Sequence, residues 1–261
     1  MNIIEALILG LVEGFTEFLP ISSTAHLILT SHILGLAQSD FVKTFEIAIQ
    51  SGAILAVLVF YWKKFFDVET LKRIVTAFIP TAVIGLILYK FIKQYLFENI
   101  TVILWALALG GLALIIMEIF LRRGDSKGLS EDSDVAPELP TYKQALFIGL
   151  IQSIAVIPGV SRSAATIMGG LLLGLSRSVI VEFSFLLAVP TIAAATLLDL
   201  TKNYQYFSMS DAGTLLIGFV SAFITAWFGI KFLLAYVRTN SFIGFGVYRI
   251  VLVLLFIFLI L

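Results

Sequence analysis

The chain has 261 residues, 60% hydrophobic and 13% charged, with a formal net charge of zero. Soluble domains hold about 45–50% apolar and about 25% charged residues, so a purely water-facing globule is excluded and lipid must solvate the apolar surplus. The neutral balance and scattered basic residues exclude a nucleic-acid footprint, and the absence of cysteine excludes disulfides, thiolate metal sites and a cysteine nucleophile.

The chain begins Met-Asn-Ile-Ile-Glu, with an acid where a signal peptide is basic and no small-residue cleavage site after it. The first apolar stretch is therefore expected to stay in the mature protein. Residues 3–36 are apolar at both ends and polar at the centre, around Pro20 and a run of hydroxyls. The first half is about 14 to 17 residues long, the length of a re-entrant segment rather than a span. Stretches of roughly 20 apolar residues, enough to cross about 30 Å of hydrocarbon as helices, follow near 41–62, 72–93 and 99–121. Residues 122–142 are hydrophilic and read as a solvated loop. Residues 143–175 repeat the apolar, polar, apolar pattern around Pro158, and three more spans lie near 178–199, 211–236 and 242–261.

The two polar-centred stretches are related. Aligning Ala6-Leu-Ile-Leu-Gly-Leu-Val-Glu13 with Ala145-Leu-Phe-Ile-Gly-Leu-Ile-Gln152 sets Leu19-Pro20 against Ile157-Pro158, with one inserted residue. Ser22-Ser-Thr-Ala25 then meets Ser161-Arg-Ser-Ala164, and Gly35-Leu36 meets Gly174-Leu175. The expected fold is an all-α integral membrane protein in one polytopic domain, with about six transmembrane helices plus two re-entrant helical hairpins. Its repeat units cover about 3–121 and 143–261. A hairpin returns to its own side and three spans change sides, so the units form an inverted-topology repeat whose hairpins meet near the midplane. The loops 63–73, 122–143, 176–178 and 237–241 hold ten Lys and Arg against four on the other face. That bias makes the first face cytoplasmic and points both termini and the mouth of the first hairpin outward.

Ionisable residues inside the membrane cost on the order of 2.5–3.5 kcal/mol or more, which singles out Glu13, Glu17, His26, Glu46, Arg162, Glu182 and Arg249. Glu13 and Glu17 share one helical face and repel, so a divalent metal, Arg162 or protonation of one carboxyl is required. The alternative is an interfacial amphipathic helix that keeps both in water. Pro20-Ile-Ser-Ser-Thr-Ala-His26 places Ser22, Ser23 and Thr24 at a helix start, where hydroxyls cap free N–H groups and where a phosphate also fits. Ser23 and His26 are three apart, which allows a nucleophile and base arrangement; a hydrogen-bonded structural His26 is the other reading. Pro158-Gly-Val-Ser-Arg-Ser-Ala-Ala-Thr166 adds Gly159 for close backbone approach, the two-point fork of Arg162, and the hydroxyls of Ser161, Ser163 and Thr166. Arg162 also serves to neutralise the two glutamates. Arg249 reads as structural, paired with Glu46 or Glu182.

Glu13-Gly-Phe-Thr-Glu17-Phe-Leu-Pro-Ile-Ser-Ser-Thr-Ala-His26 and Pro158-Gly-Val-Ser-Arg-Ser-Ala-Ala-Thr166 resemble the two signatures of the bacterial undecaprenyl pyrophosphate phosphatases, also called bacitracin-resistance proteins. The resemblance extends to Lys43-Thr-Phe-Glu-Ile-Ala-Ile-Gln50 and Glu182-Phe-Ser-Phe-Leu-Leu-Ala-Val-Pro190, and so covers essentially the whole chain. It implies removal of the terminal phosphate of a long-chain polyprenyl pyrophosphate, in a multi-pass protein of the bacterial cytoplasmic membrane. It also implies a divalent cation, Mg²⁺ or Ca²⁺, held by Glu13 and Glu17, and a site open to the outer face. By the same resemblance Glu17 is the principal acid, Ser23 the candidate nucleophile or positioner of a water, His26 an acid or base, and Arg162 the phosphate clamp. Ser161, Ser163 and Thr166 line the phosphate pocket by that resemblance; the partners to expect are the polyprenyl pyrophosphate, membrane lipids and, as an open alternative, a second copy in a homodimer. A secondary transporter is the rival reading, because inverted repeats with broken elements also build those.

Overall fold

Among the residues that the computed structural model describes, 1–37, 39–91, 95–96, 99–125, 139–203, 205 and 211–260, all regular structure is helical. Helix α1 (Ile3–Thr16) starts at a capping box: Asn2 Oδ1 accepts the Glu5 N–H at 2.9 Å and the Glu5 carboxylate accepts the Asn2 N–H at 2.6 Å. Helix α6 (Tyr142–Gln152) starts the same way on Thr141 and Gln144. Both are short. Their 14 and 11 residues rise about 21 and 16 Å at 1.5 Å each, well under the roughly 30 Å of a hydrocarbon core. Each leads through a proline turn into another short helix, α2 (Ser23–Ile33) after Pro20 and α7 (Arg162–Leu172) after Pro158.

The longer helices are α3 (Asp40–Phe60), α4 (Val68–Phe91), α5 (Ile100–Asp125), α8 (Arg177–Asn203), α9 (Ala212–Tyr236) and α10 (Ile243–Ile260). Five contain stretches long and apolar enough to cross a membrane: Asp40–Phe60, Val68–Tyr89, Ile100–Leu121, Arg177–Asn203 and Ala212–Tyr236. The fragment Ile243–Phe258 of α10 is apolar but shorter. Large apolar side chains point outward along these helices, with Ile87 74% and Phe120 72% exposed, as lipid permits and water does not. The expected hydrophilic loop starts later than its composition suggested, because α5 continues to Asp125. Its residues 126–138 lie outside the described residues.

Contacts between the two halves are crossed. Helix α1 packs on α9, and α6, its counterpart in the repeat alignment, packs on α4, while α3 meets α8 and α5 meets α10. Small residues allow these approaches, as lipid-embedded interfaces require. A Cβ at Gly14 would overlap the carbonyl of Ala222, and one at Gly149 the carbonyl of Ala77. Phe18, Leu19, Ile21, Phe183, Phe185 and Leu186 belong to the main apolar cluster, which encloses the first proline turn.

Two buried charges are satisfied in ways that the sequence did not indicate. Glu118, fully buried, accepts from Arg177 Nη1 and Nη2 at 2.9 Å each and from the Phe242 N–H at 2.9 Å, tying α5 to the starts of α8 and α10. Arg249 does not pair with Glu46 or Glu182, which corrects the expectation. Its Nε donates to Leu107 O at 3.1 Å, Nη1 to Pro20 O at 3.3 Å and Val160 O at 3.1 Å, and Nη2 to Ala106 O at 3.0 Å and Gly159 O at 2.8 Å. Turn carbonyls lack the helical N–H partners that satisfy carbonyls elsewhere, and a guanidinium has five donors to offer them. Glu182 sits near the start of α8, partly exposed and 3.2 Å from Lys64, and Glu46 accepts the Ser31 hydroxyl at 2.6 Å.

The close contact at Gly14 yields a direct check. Gly14→Ala is expected to destabilise the protein by about 1–3 kcal/mol through overpacking, whereas Gly85→Ala, where a Cβ meets nothing, stays within about 1 kcal/mol or gains stability. Thermal unfolding in detergent, followed by tryptophan fluorescence, compares the two.

Candidate active site

Both proline turns use one backbone device. Ser22 and Ser161 are the non-glycine residues with positive φ among those described, at 71° and 75°. Each is the N-cap of the following helix, its Oγ accepting the Ala25 N–H at 3.4 Å and the Ala164 N–H at 3.2 Å respectively. A left-handed φ on a side-chain-bearing residue costs on the order of 1–3 kcal/mol and persists only where the surroundings impose it. Capping takes one N–H in each first turn, so the N–H groups of Ser23 and Thr24 in α2 and of Arg162 and Ser163 in α7 have no intrahelical acceptor. They carry the positive ends of two helix dipoles.

The two helix starts converge on Glu17. Arg162 Nη2 donates to Glu17 Oε1 at 2.8 Å, and the Ser23 hydroxyl donates to Glu17 Oε2. Ser163 Oγ donates to Leu19 O at 2.7 Å, adding a second bond between the turns, and shares a hydrogen bond with Ser161 Oγ at 3.0 Å. The Arg162 guanidinium lies over the Phe18 ring at 5.8 Å and donates to Ser184 O at 2.8 Å, while Thr166 Oγ1 and Ser184 Oγ are 2.6 Å apart. These contacts hold the guanidinium in place yet leave its Nε, buried, without a partner. Glu13 is fully buried one helical turn before Glu17, and neither of its oxygens has a hydrogen-bond partner.

The structure distributes the sequence-identified residues unevenly. Glu17, Ser23 and Arg162 are in mutual contact through Glu17, and Ser161, Ser163 and Thr166 lie around Arg162. Thr24 is half-buried beside Ser23, and the Gly159 carbonyl is turned to Arg249 rather than toward Glu17. His26 does not meet Ser23. Its Nδ1 lies 2.7 Å from the Ser22 carbonyl, which accepts only, so Nδ1 carries the proton. Nε2 of a neutral ring is then an acceptor, and the Tyr248 hydroxyl, 2.7 Å away, donates to it. The acceptor of the Ser23 hydroxyl proton is Glu17, and Tyr248 reaches His26 from 222 residues along the chain. Sequence spacing missed Tyr248 and Ser184: Ser184 lay unused inside Glu182-Phe-Ser-Phe185, and nothing local distinguishes Tyr248 from any aromatic of a span. Chemically, the arrangement offers a hydroxyl whose proton a carboxylate accepts, beside a fixed guanidinium and two helix N-termini suited to an anion.

Removing one member of the buried Glu17–Arg162 pair should be far costlier than removing both. Arg162→Ala is expected to lose about 3–5 kcal/mol of stability, and Glu17→Gln combined with it to recover a large part, as read from thermal unfolding of the three proteins in detergent.

Comparison with known proteins identifies the family. The family model described as bacitracin resistance protein BacA matches residues 6–255. Similar curated proteins include the undecaprenyl-diphosphatase of Sulfurihydrogenibium sp. (strain YO3AOP1), 52% identical over 98% of both chains. Those of Persephonella marina, 50% identical over the full length of both, and Aquifex aeolicus, 51% identical over 97% of this chain and 96% of the other, carry the same name. Since the family model runs from within α1 to within α10 and covers both proline turns, the chain belongs to the BacA family of bacitracin resistance proteins.

Proposed function

We propose that the chain is an integral membrane phosphatase that hydrolyses undecaprenyl pyrophosphate to undecaprenyl phosphate and inorganic phosphate, recycling the lipid carrier of cell-wall synthesis and so conferring bacitracin resistance. The observation that carries this reading is the junction of Ser23, Glu17 and Arg162 between two helix N-termini, in a chain half identical to proteins named for that reaction. A terminal phosphate seated there meets the Arg162 fork and the free N–H groups of both helices, which take up charge on the transferring phosphoryl oxygens.

In the proposed step, Ser23 Oγ bonds to the terminal phosphorus as its proton passes to Glu17. The bridging P–O bond breaks and its electron pair leaves with the lipid monophosphate. Water then cleaves the phosphoserine, releasing inorganic phosphate and restoring the hydroxyl. His26, its Nδ1–H held by Ser22 and its Nε2 by Tyr248, supplies or receives a proton at the pocket edge. Among the described residues no group of three or more His, Cys, Asp or Glu side chains converges. The buried, unpartnered oxygens of Glu13 beside Glu17 nevertheless fit Mg²⁺ or Ca²⁺, which one or two carboxylates hold together with water and phosphate oxygens. When bound, such a cation neutralises phosphate charge.

The proposed setting is a bacterial cytoplasmic membrane, with α10 as a sixth span and with α1–α2 and α6–α7 as re-entrant hairpins of inverted repeat units. The crossed packing of α1 on α9 and of α6 on α4 supports that symmetry, and so do the paired caps at Ser22 and Ser161. Both termini and the pocket mouth then face outward.

Two measurements test these statements. Purified protein in detergent should release phosphate from a polyprenyl pyrophosphate; a chelator or Arg162→Ala should reduce release by at least about 100-fold, Glu17→Gln and Ser23→Ala likewise, and Tyr248→Phe by about tenfold. Full activity in Ser23→Ala removes the covalent step. For topology, the chain has no cysteine, so Thr239→Cys should react with an impermeant maleimide only from the cytoplasmic side and Asn99→Cys only from outside; the reverse pattern overturns the orientation.

A further inference from the structure

We infer that Arg249 is a positioning residue for the reaction, holding the two proline turns at the separation that phosphoryl transfer needs; this rests on the phosphatase reading above. Arg249 is fully buried, and its five N–H groups meet five backbone carbonyls. Pro20 belongs to the first turn, Gly159 and Val160 to the second, and Ala106 and Leu107 to α5, so one planar group ties both turns to a single helix. No carboxylate takes part. The cation is spent on carbonyl dipoles that a glutamate in the same place would repel.

The consequence for the site is geometric. A trans peptide is planar, with its C=O and N–H pointing opposite ways, so anchoring the Val160 carbonyl on Nη1 fixes the direction of the Ser161 N–H. Ser161 is the positive-φ cap from which α7 starts, and Arg162 is the next residue. The Pro20 carbonyl is likewise two residues before the Ser22 cap of α2, which carries Ser23. Arg249 therefore acts on Arg162 and Ser23 through their backbones, without touching either.

Space for the guanidinium is built in from α5. A Cβ at Gly110 would overlap Arg249 Nη2, and the next residue, Gly111, lets α10 come close: a Cβ there would lie 2.7 Å from Gly246 O. Lysine cannot substitute, because three donors on one nitrogen leave at least two of the five carbonyls without this partner. A shift of about 1 Å between turns is enough to cost on the order of 100-fold in rate.

The test uses the full chain in detergent. Arg249→Lys should lower kcat for polyprenyl pyrophosphate about 100-fold with KM within about threefold, since the lipid tail still binds. Gly110→Ala, which presses on the guanidinium from α5 and lies outside the site, should lower kcat about tenfold, and the double variant should be no worse than Arg249→Lys alone. Amide hydrogen exchange should rise in 17–25 and 157–164 of both variants while α3 and α8 keep wild-type protection. Exchange needs no turnover, so an inactive wild type would tell against the phosphatase reading and leave exchange to decide this one. Unchanged exchange in both turns, a uniform rise over all helices, or kcat within about threefold of wild type in Arg249→Lys overturns the inference. If Arg249→Lys does not fold, Gly110→Ala decides alone by the same criteria.

Discussion

Charges brought into an apolar body must be cancelled where they lie, and here Glu17 and Arg162 cancel one another across 145 residues of chain. The pair is the charged contact that joins the two turns. With Arg162 fixed by Glu17, Ser184 and Phe18, and with Ser163 bonded to Leu19, neither turn can move without exposing an unpaired buried group. The same bonds bring the starts of α2 and α7 together, so the constraint that stabilises the fold also gathers two helix N-termini suited to an anion.

The turns share a backbone and divide the chemistry. Ser22 and Ser161 have nearly equal φ and identical capping roles, as duplicated segments would. Their side chains have diverged. Where the first half has Glu13, the second has Gln152, which donates to Thr81 Oγ1 at 2.7 Å and Thr191 Oγ1 at 3.4 Å. Opposite Glu17 runs Ser153-Ile-Ala-Val156, with no acid, and opposite Ser23 stands Arg162. Acid and hydroxyl come from one turn and the guanidinium from the other, so their junction holds groups that neither half supplies alone.

Behind both turns lies α10. Tyr248 faces His26 with its ring nearly parallel, and the adjacent Arg249 gathers the turn carbonyls. Two consecutive residues thus serve opposite needs: one is 43% exposed and gives a histidine its hydrogen bond, the other is fully buried and satisfies the backbone. The glycines of α5 permit this closeness, which shows why a membrane interface built on small residues also matters to a polar site some distance away.

Much of this was legible in the sequence because lipid makes polarity expensive. Spans near 41–62, 72–93, 99–121, 178–199 and 211–236 follow from unbroken apolar length, and each coincides with a helix. Glu13, Glu17, His26 and Arg162 stood out because a charge amid apolar neighbours needs a reason, and the offset between the proline turns linked the halves before any contact was known. Partner choice was not legible. That Ser23 meets Glu17 and not His26, that Tyr248 serves His26, and that Arg249 seeks carbonyls rather than carboxylates all depend on which way side chains point after the helices have packed. Hydropathy and spacing record the cost of burying a polar group; only the tertiary structure decides which neighbour, often more than 100 residues away, comes close enough to offset it.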